Sequence, residues 1–304
     1  MNDVNIVVVG SINMDLVIFT NRFPNKGETI IGEEFHRIPG GKGANQAVAA
    51  KRLGANVDII GCIGDDIYGK EVIGILDNED IGTECISIIP NKNTGIALIT
   101  VNKHGENKII LSQGANSNLS PTQIRNSEHL IKKANVLLLQ LEIPIESIVE
   151  SVKIAKRHNI PVILNPAPAI KLEPALLEQI DYLIPNETES KQLVGKDFGD
   201  TEEIIDTLKE IGVSHTIVTL GEKGVVFNDQ TGKIIHIDAH KVKAIDTTGA
   251  GDAFNAAFGV SIAEGKTITE SIHFAQTVAA YSVTKSGAQP SFPNRSEVTG
   301  KRNN

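Results

Sequence analysis

Strand-sized apolar runs at residues 6–9, 57–60, 136–141, 162–164, 182–184 and 216–220 alternate with segments whose apolar positions recur at helical spacing. Ile148, Val149, Val152 and Ala155 fall at i, i+1, i+4 and i+7, and Ile204, Ile205, Leu208 and Ile211 repeat that spacing, as one buried helix face requires. Asp200, three residues before Glu203, has the arrangement of a capping box ahead of the second helix. Such alternation predicts an α/β fold, with a central mostly parallel sheet flanked by helices.

Two stretches interrupt the pattern. Residues 14–35 carry β-rich runs at 16–19 and 29–31 joined by a turn at 24–27, and residues 95–111 read as a hairpin, 96–101 and 108–111, turning at His104-Gly105. Neither contains a helix. They are either edge strands of the main sheet or a small separate β-sheet, and the second is expected because both flank the chemically richest loops. The expected division is therefore an α/β domain of residues 1–13, 36–94 and 112–304, with a β lid of residues 14–35 and 95–111.

Composition narrows the function. The 304 residues are 40% hydrophobic and 22% charged, an ordinary globular balance long enough for two domains or one large one. The formal net charge of −8 argues against a nucleic-acid partner, which normally meets a basic face. No apolar run approaches the roughly 18 residues of a membrane span, and acidic Asp3 stands where a signal peptide would be basic. Cys62 and Cys85 are too few for a disulfide framework or a cysteine-rich metal site, so two buried free thiols in a reducing cytoplasm are expected. His236 and His240 are four apart in a strand-rich segment, where that spacing does not converge on a metal, and surface placement is expected.

Polar residues gather at the strand ends: Gly10 to Asp15 after the first, Gln140 and Glu142, Asn165, Asn186, then Thr219 and Gly221. One such residue is usually a cap or turn former. Five strand ends together suit a polyhydroxylated ligand, because each hydroxyl taken from water needs a partner. The glycine-rich loops exclude two familiar classes. Gly43 stands where a Walker loop needs Ser or Thr, and His36 where it needs its first glycine. Phe254 replaces the third glycine of a dinucleotide fingerprint.

Residues 246–258 (Asp-Thr-Thr-Gly-Ala-Gly-Asp-Ala-Phe-Asn-Ala-Ala-Phe) are the most informative. Glycines just before a helix start let successive N–H groups face one way and form an anion site. Asp252 in the first turn is either a stabilising carboxylate or a base that takes a proton beside that site. Phosphoryl transfer needs the second arrangement.

Gly40-Gly41-Lys42-Gly43-Ala44-Asn45-Gln46-Ala47 and Asp246-Thr247-Thr248-Gly249-Ala250-Gly251-Asp252 resemble the two signatures of the ribokinase-like (PfkB) family of carbohydrate kinases. Narrower blocks resemble its ribose kinases: residues 10–15, 164–169, 185–189 and 287–291. The resemblance covers nearly the whole chain and implies ATP-dependent phosphorylation of D-ribose at O5. A kinase for 2-deoxyribose, fructose or adenosine, or a non-catalytic sensor on the same fold, is the alternative.

Residue by residue, the resemblance places Asn13, Asp15, Gly41, Lys42, Asn45 and Glu142 around the sugar. Asn186, Glu189, Thr219, Leu220, Gly221, Glu222, Lys223, Gly224, Gly251 and Gln276 are placed around ATP, with Asn186 and Glu189 helping to hold Mg²⁺ through water. Asp252 becomes the base, the amides of Ala250, Gly251 and Asp252 form the anion hole, and Gly249 counts with them among the catalytic residues. A K⁺ site is implied at Asp246, Thr248, Ser282, Lys285, Gly287 and Ser291. A homodimer through the lid is implied as well. One departure from the family pattern is the ending after Pro293, at residues 300–304, where an apolar closing helix is expected.

Overall fold

The computed structural model describes residues 3–195, 200–229 and 231–300. Thirteen strands are found among them: β1 (Asn5–Val9), β2 (Asn13–Thr20), β3 (Phe35–Gly40), β4 (Asn56–Gly64), β5 (Ile86–Ile89), β6 (Gly95–Asn102), β7 (Asn107–Ser112), β8 (Val136–Gln140), β9 (Val162–Asn165), β10 (Tyr182–Leu183), β11 (His215–Thr219), β12 (Val225–Asn228) and β13 (Ile234–Ile237). Nine form one sheet in the order β13-β12-β11-β10-β9-β8-β1-β4-β5. Its neighbours are parallel except β11–β12 and β12–β13.

Alternate side chains of the central strands enter two different cores. Ile6 and Val8 join the cluster containing Ala253, Ala257 and Phe258 of the helix Ala250–Ala263. Val7 and Val9 join the cluster containing Ile148, Val152 and Ala155 of the helix Ile145–Arg157. Burial on both faces explains why these strands read as unbroken apolar runs. The predicted helical faces are the buried ones: Ile148, Val152 and Ala155 are fully enclosed, and Ile204, Ile205 and Leu208 nearly so. Asp200 caps the helix Thr201–Glu210, accepting from the Glu203 amide at 2.9 Å.

The remaining four strands make a separate sheet, β3-β2-β6-β7. The interruptions therefore do not become edge strands of the main sheet. One expectation within them fails: residues 29–31 form no strand, Ile31 is exposed, and the partner of β2 is β3. The boundary expected at 35 falls at the start of that strand. Pro39 disguised β3, but β3 is an edge strand, where a missing N–H costs no ladder bond on the open side. The antiparallel extension β12–β13 was also unforeseen. Its entry needs Gly224, with φ of 99°, where a Cβ would overlap the backbone of Ile237.

Among the described residues no helix is long and apolar enough to cross a membrane. Near the C-terminus a short helix, Arg295–Thr299, buries Val298, and residues 301–304 of the expected departure lie outside the described residues.

Candidate active site

β1 has β8 on one side and β4 on the other, so the strand order reverses there. In an open α/β sheet such a reversal leaves a crevice beyond the carboxyl ends of the strands. A cavity of about 220 Å³ lies on this side, lined among others by Lys42, Asn165, Asn186, Glu189, Thr219 and Asp252. Polar strand ends separated by more than 50 residues of sequence thus meet in one place.

Two loops build the deeper part. The turn after β1 and the start of the helix Lys42–Arg52 touch backbone to backbone: a Cβ on Gly43 would stand 2.7 Å from Gly10 and Ser11. Gly41, with φ of 87°, makes the turn into the helix, and the Ala44 amide donates to Ser11 O at 3.0 Å. Glu142 locks the two loops together. Its Oε2 accepts from the Ser11 hydroxyl and, at 3.3 Å, from the Lys42 amide. Asn13 and Asp15, two apart on β2, share a face as expected, and Asp15 packs against Gly40, where a Cβ would collide with its carboxylate.

Asp252 sits in the first turn of the helix Ala250–Ala263 and is buried. Its Oδ2 accepts from Asn45 Nδ2 at 2.9 Å and its Oδ1 from Gln46 Nε2 at 3.2 Å. Gln140 Nε2 in turn donates to Gln46 Oε1 at 2.7 Å, and Gln289 Nε2 to Asn45 Oδ1 at 3.2 Å. Sequence reasoning missed Ser11, Gln46 and Gln289 as parts of the site. A polar residue at a buried helical position, as Gln46 is between Ala44 and Ala47, was the available signal.

Of the three amides expected in the anion cradle, that of Ala250 is taken and two are open. Gly249 adopts the left-handed conformation and precedes the helix. The Ala250 amide donates to Thr247 O at 3.2 Å, while no bond among the described residues engages the amides of Gly251 and Asp252. A Cβ on Gly251 would meet nothing within 4 Å, so this glycine leaves open space for a ligand rather than for the protein.

Charge is concentrated here. Burial first, and then Glu142 and Asp252, push the Asp15 carboxyl up to about 7. Burial likewise raises Glu142 and Glu189, against the pull of Lys42. Burial alone would lower Lys42, but Asp252, Glu142, Glu189 and Asp15 together hold its pKa above the ordinary value. One ammonium among four carboxylates suits a divalent cation arriving with a polyphosphate.

The other expected residues divide. Asn186 and Glu189 line the cavity but also form a capping box on the helix Glu187–Val194, Asn186 Oδ1 accepting from the Glu189 amide and Glu189 Oε2 from the Asn186 amide, each at 2.8 Å. Leu220 and Lys223 line a neighbouring cavity with Glu187 and Lys191. Gly221 and Glu222 lie in the turn between them. Gln276 donates to Ile237 O and Asp238 O, both at 3.3 Å, tying β13 to the helix Ile268–Ser282. Gly224 has the structural duty described above.

Asp246 gathers the segments expected around a monovalent cation. Its Oδ1 accepts from the Thr248 amide at 2.9 Å and hydroxyl at 2.7 Å, and its Oδ2 from the Gly287 amide at 2.8 Å. Burial opposes ionisation, yet these bonds hold its pKa below the ordinary value. The Ser282 and Ser291 hydroxyls donate to nearby carbonyls, and Lys285 pairs with Glu297. Cys62 and Cys85 are free as expected, but only Cys62 is buried, Cys85 being half-buried; His236 and His240 are exposed as expected and bond separately, to Lys223 O and Thr277 Oγ1.

Residues 3–295 match the pfkB family carbohydrate kinases. The ribokinase of Haemophilus influenzae is 44% identical over 296 residues, 96% of this chain and 96% of that protein. The deoxyribokinase of Salmonella typhimurium is 37% identical, covering 95% of this chain and 96% of that protein. The structure of Arabidopsis thaliana ribokinase complexed with ribose and ATP superposes with a TM-score of 0.91 at 34% identity, covering 98% of both chains.

Proposed function

The chain belongs to the pfkB family of carbohydrate kinases, and from that premise we propose how its own residues carry out the transfer. Its activity is that of a ribokinase, the ATP-dependent phosphorylation of ribose. The acceptor is O5, the primary hydroxyl. Asn13, Asp15, Gly41, Lys42, Asn45 and Glu142 surround the sugar, and their mixture of donors and acceptors can satisfy several ring hydroxyls at once. Asp252 orients the attacking hydroxyl and takes its proton. The observation that carries this reading is the placement of Asp252: a buried carboxylate, held by two amide side chains, one residue from unengaged helix amides facing the cavity. Those amides donate to the oxygens of the phosphoryl group in flight, where negative charge is spread.

The nucleotide lies along Asn186, Thr219 and the turn 220–224, with Gln276 behind it. Glu189, whose second oxygen is not used by the capping box, and Asn186 would hold Mg²⁺, which neutralises phosphate charge when bound. Asp246, with backbone oxygens of Thr248, Ser282, Lys285, Gly287 and Ser291, would hold K⁺. That ion's contribution is to fix the turn that presents the cradle amides. The β2–β3–β6–β7 sheet acts as the lid over the sugar. Its exposed Phe19, Ile109 and Leu111 fall on the same face as Val17 and Ile99 and meet a second copy of the chain in a homodimer. A cytoplasmic setting, where ATP and reduced thiols occur, suits all of this.

The test is ATP consumption over ribose, 2-deoxyribose, fructose and adenosine, run in matched potassium and sodium buffers. Ribose should show the highest kcat/KM, because a site that bonds a hydroxyl rejects an analogue lacking it. Potassium should activate beyond sodium. Equal or better turnover of another acceptor overturns the ribose site, and indistinguishable rates in the two buffers overturn the K⁺ site alone.

A further inference from the structure

Asn116 lies in the short 3₁₀ turn Gly114–Asn118 that follows β7, and it is almost completely buried. Its side chain reaches back 103 residues to β2. Oδ1 accepts from the Ile12 amide at 2.9 Å, while Nδ2 donates to Ile12 O at 3.2 Å and to Asn13 Oδ1 at 2.7 Å.

These bonds fix polarity in sequence. A backbone N–H can only donate, so the atom of Asn116 facing Ile12 N is the oxygen, and the other end of its amide is the NH₂ group. That group needs an acceptor, which sets the Asn13 oxygen against Asn116. Asn13 is left with its Nδ2 donor pointing away, and no bond among the described residues engages it. We propose that Asn116 is a positioning residue for the sugar: it orients the Asn13 amide so that a donor, not an acceptor, faces the sugar hydroxyls. This rests on the reading of Asn13 as a sugar ligand.

Gly95 supplies an independent observation. It pairs with Asn13 in the lid sheet, and a Cβ there would overlap both Asn13 Oδ1 and Asn116 Nδ2. The absence of a side chain at the start of β6 thus leaves the room the amide–amide bond occupies. Both Gly95 and Asn116 belong to segments that begin or follow the lid strands, so the polarity of the sugar contact is set from the lid side.

Asn116→Asp separates positioning from packing. It keeps an acceptor for Ile12 N but loses the NH₂ group, so Asn13 turns its own NH₂ toward the new carboxylate and offers the sugar an oxygen. The KM for ribose should rise roughly tenfold, the worth of about one lost hydrogen bond, with kcat and the KM for ATP within about twofold. In an Asn13→Ala background the same change should add less than about twofold, because the two residues act as one unit. If Asn116→Asp does not fold, as judged by its melting transition, Gly95→Ala is the second variant and should show the same KM-against-kcat split. An unchanged ribose KM, or effects of Asn13→Ala and Asn116→Asp that multiply independently, overturns the positioning role while the sugar site stands. An Asn13→Ala variant with unchanged ribose KM overturns both.

Discussion

β8 and β7 make the two halves of the molecule comparable. Val136–Gln140 reads VLLLQ and every residue of it is buried; Asn107–Ser112 reads NKIILS and every residue of it is exposed. Apolar content does not separate them, since Leu137 to Leu139 and Ile109 to Leu111 are equally hydrophobic runs. The number of covered faces does. β8 lies between β1 and β9 with helices packed above and below, while β7 is the edge of a four-stranded sheet whose own core is only Val17, Ala97 and Ile99, with Ile38 and Val101 beside them. The main sheet carries most of the buried core and, in the proposed reading, the reacting groups. In that reading the lid carries sugar contacts on β2 and leaves apolar surface for another copy. Burial is thus concentrated in the main sheet while the proposed ligand contacts come from both, and the two sheets can be perturbed one at a time.

The sharpest break in the comparison is Asp252→Asn, at the catalytic end of the main sheet. Asn matches Asp in size and Asp252 makes no cap bond to the helix, so the fold should survive, while the proton acceptor is gone. General-base catalysis typically supplies ~10²–10⁴-fold, and kcat should fall by about that factor with ribose affinity far less affected. Steady-state kinetics beside a direct binding measurement decides it. A fully active Asn variant would remove Asp252 from the mechanism and leave only a stabilising first-turn charge.

Next in size is a core truncation. Leu138→Ala, at a fully enclosed position in the main sheet, should cost about 2–5 kcal/mol in denaturant unfolding.

Asp15 joins the halves, being a lid residue that shares charge with Glu142 and Asp252. Its carboxyl ordinarily titrates near 3.8 and is pushed up to about 7, first by burial and then by those neighbours. The folded state therefore binds this proton more tightly than the unfolded chain. Its stabilising contribution is complete below the ordinary value and is lost as pH rises through about 7. Relative to Asp15→Asn, the ligand-free protein should lose melting temperature across that window. Ribose, which in the proposed site donates to this carboxylate, should bind more tightly over the same rise, by up to about tenfold per pH unit below the midpoint. A pH-independent ribose affinity in the unmodified protein would remove Asp15 from the contact.

The smallest expected effect on stability belongs to the lid. Ile109→Lys, at a position 55% exposed, should change unfolding free energy by no more than about 0.5 kcal/mol. The same substitution should shift the sedimentation of the protein from dimer to monomer, since it places a charge in the proposed subunit contact. A dimer that persists would take that face out of the assembly.

What the sequence determined by itself is everything local in character. Runs at 6–9, 57–60 and 136–141 read as strands, the spacing of Ile148, Val152 and Ala155 as one face of a helix, and Gly249 to Asp252 as a helix start. Asn13 and Asp15 shared a face because side chains alternate along any strand. Tertiary structure decided what depends on partners distant in the chain. The second lid strand is β3 rather than 29–31, because β2 offers its edge to residues 35–40 and an edge tolerates Pro39. Gln46 enters the site because the Lys42 helix packs beside the Ala250 helix, Gln289 because the turn Gln289–Ser291 packs against the Lys42 helix, and Asn116 because the loop after β7 returns to β2. A hydrogen bond that spans 103 or 206 residues leaves no spacing in the sequence for a reader to measure, since its geometry is set by which elements the core brings side by side.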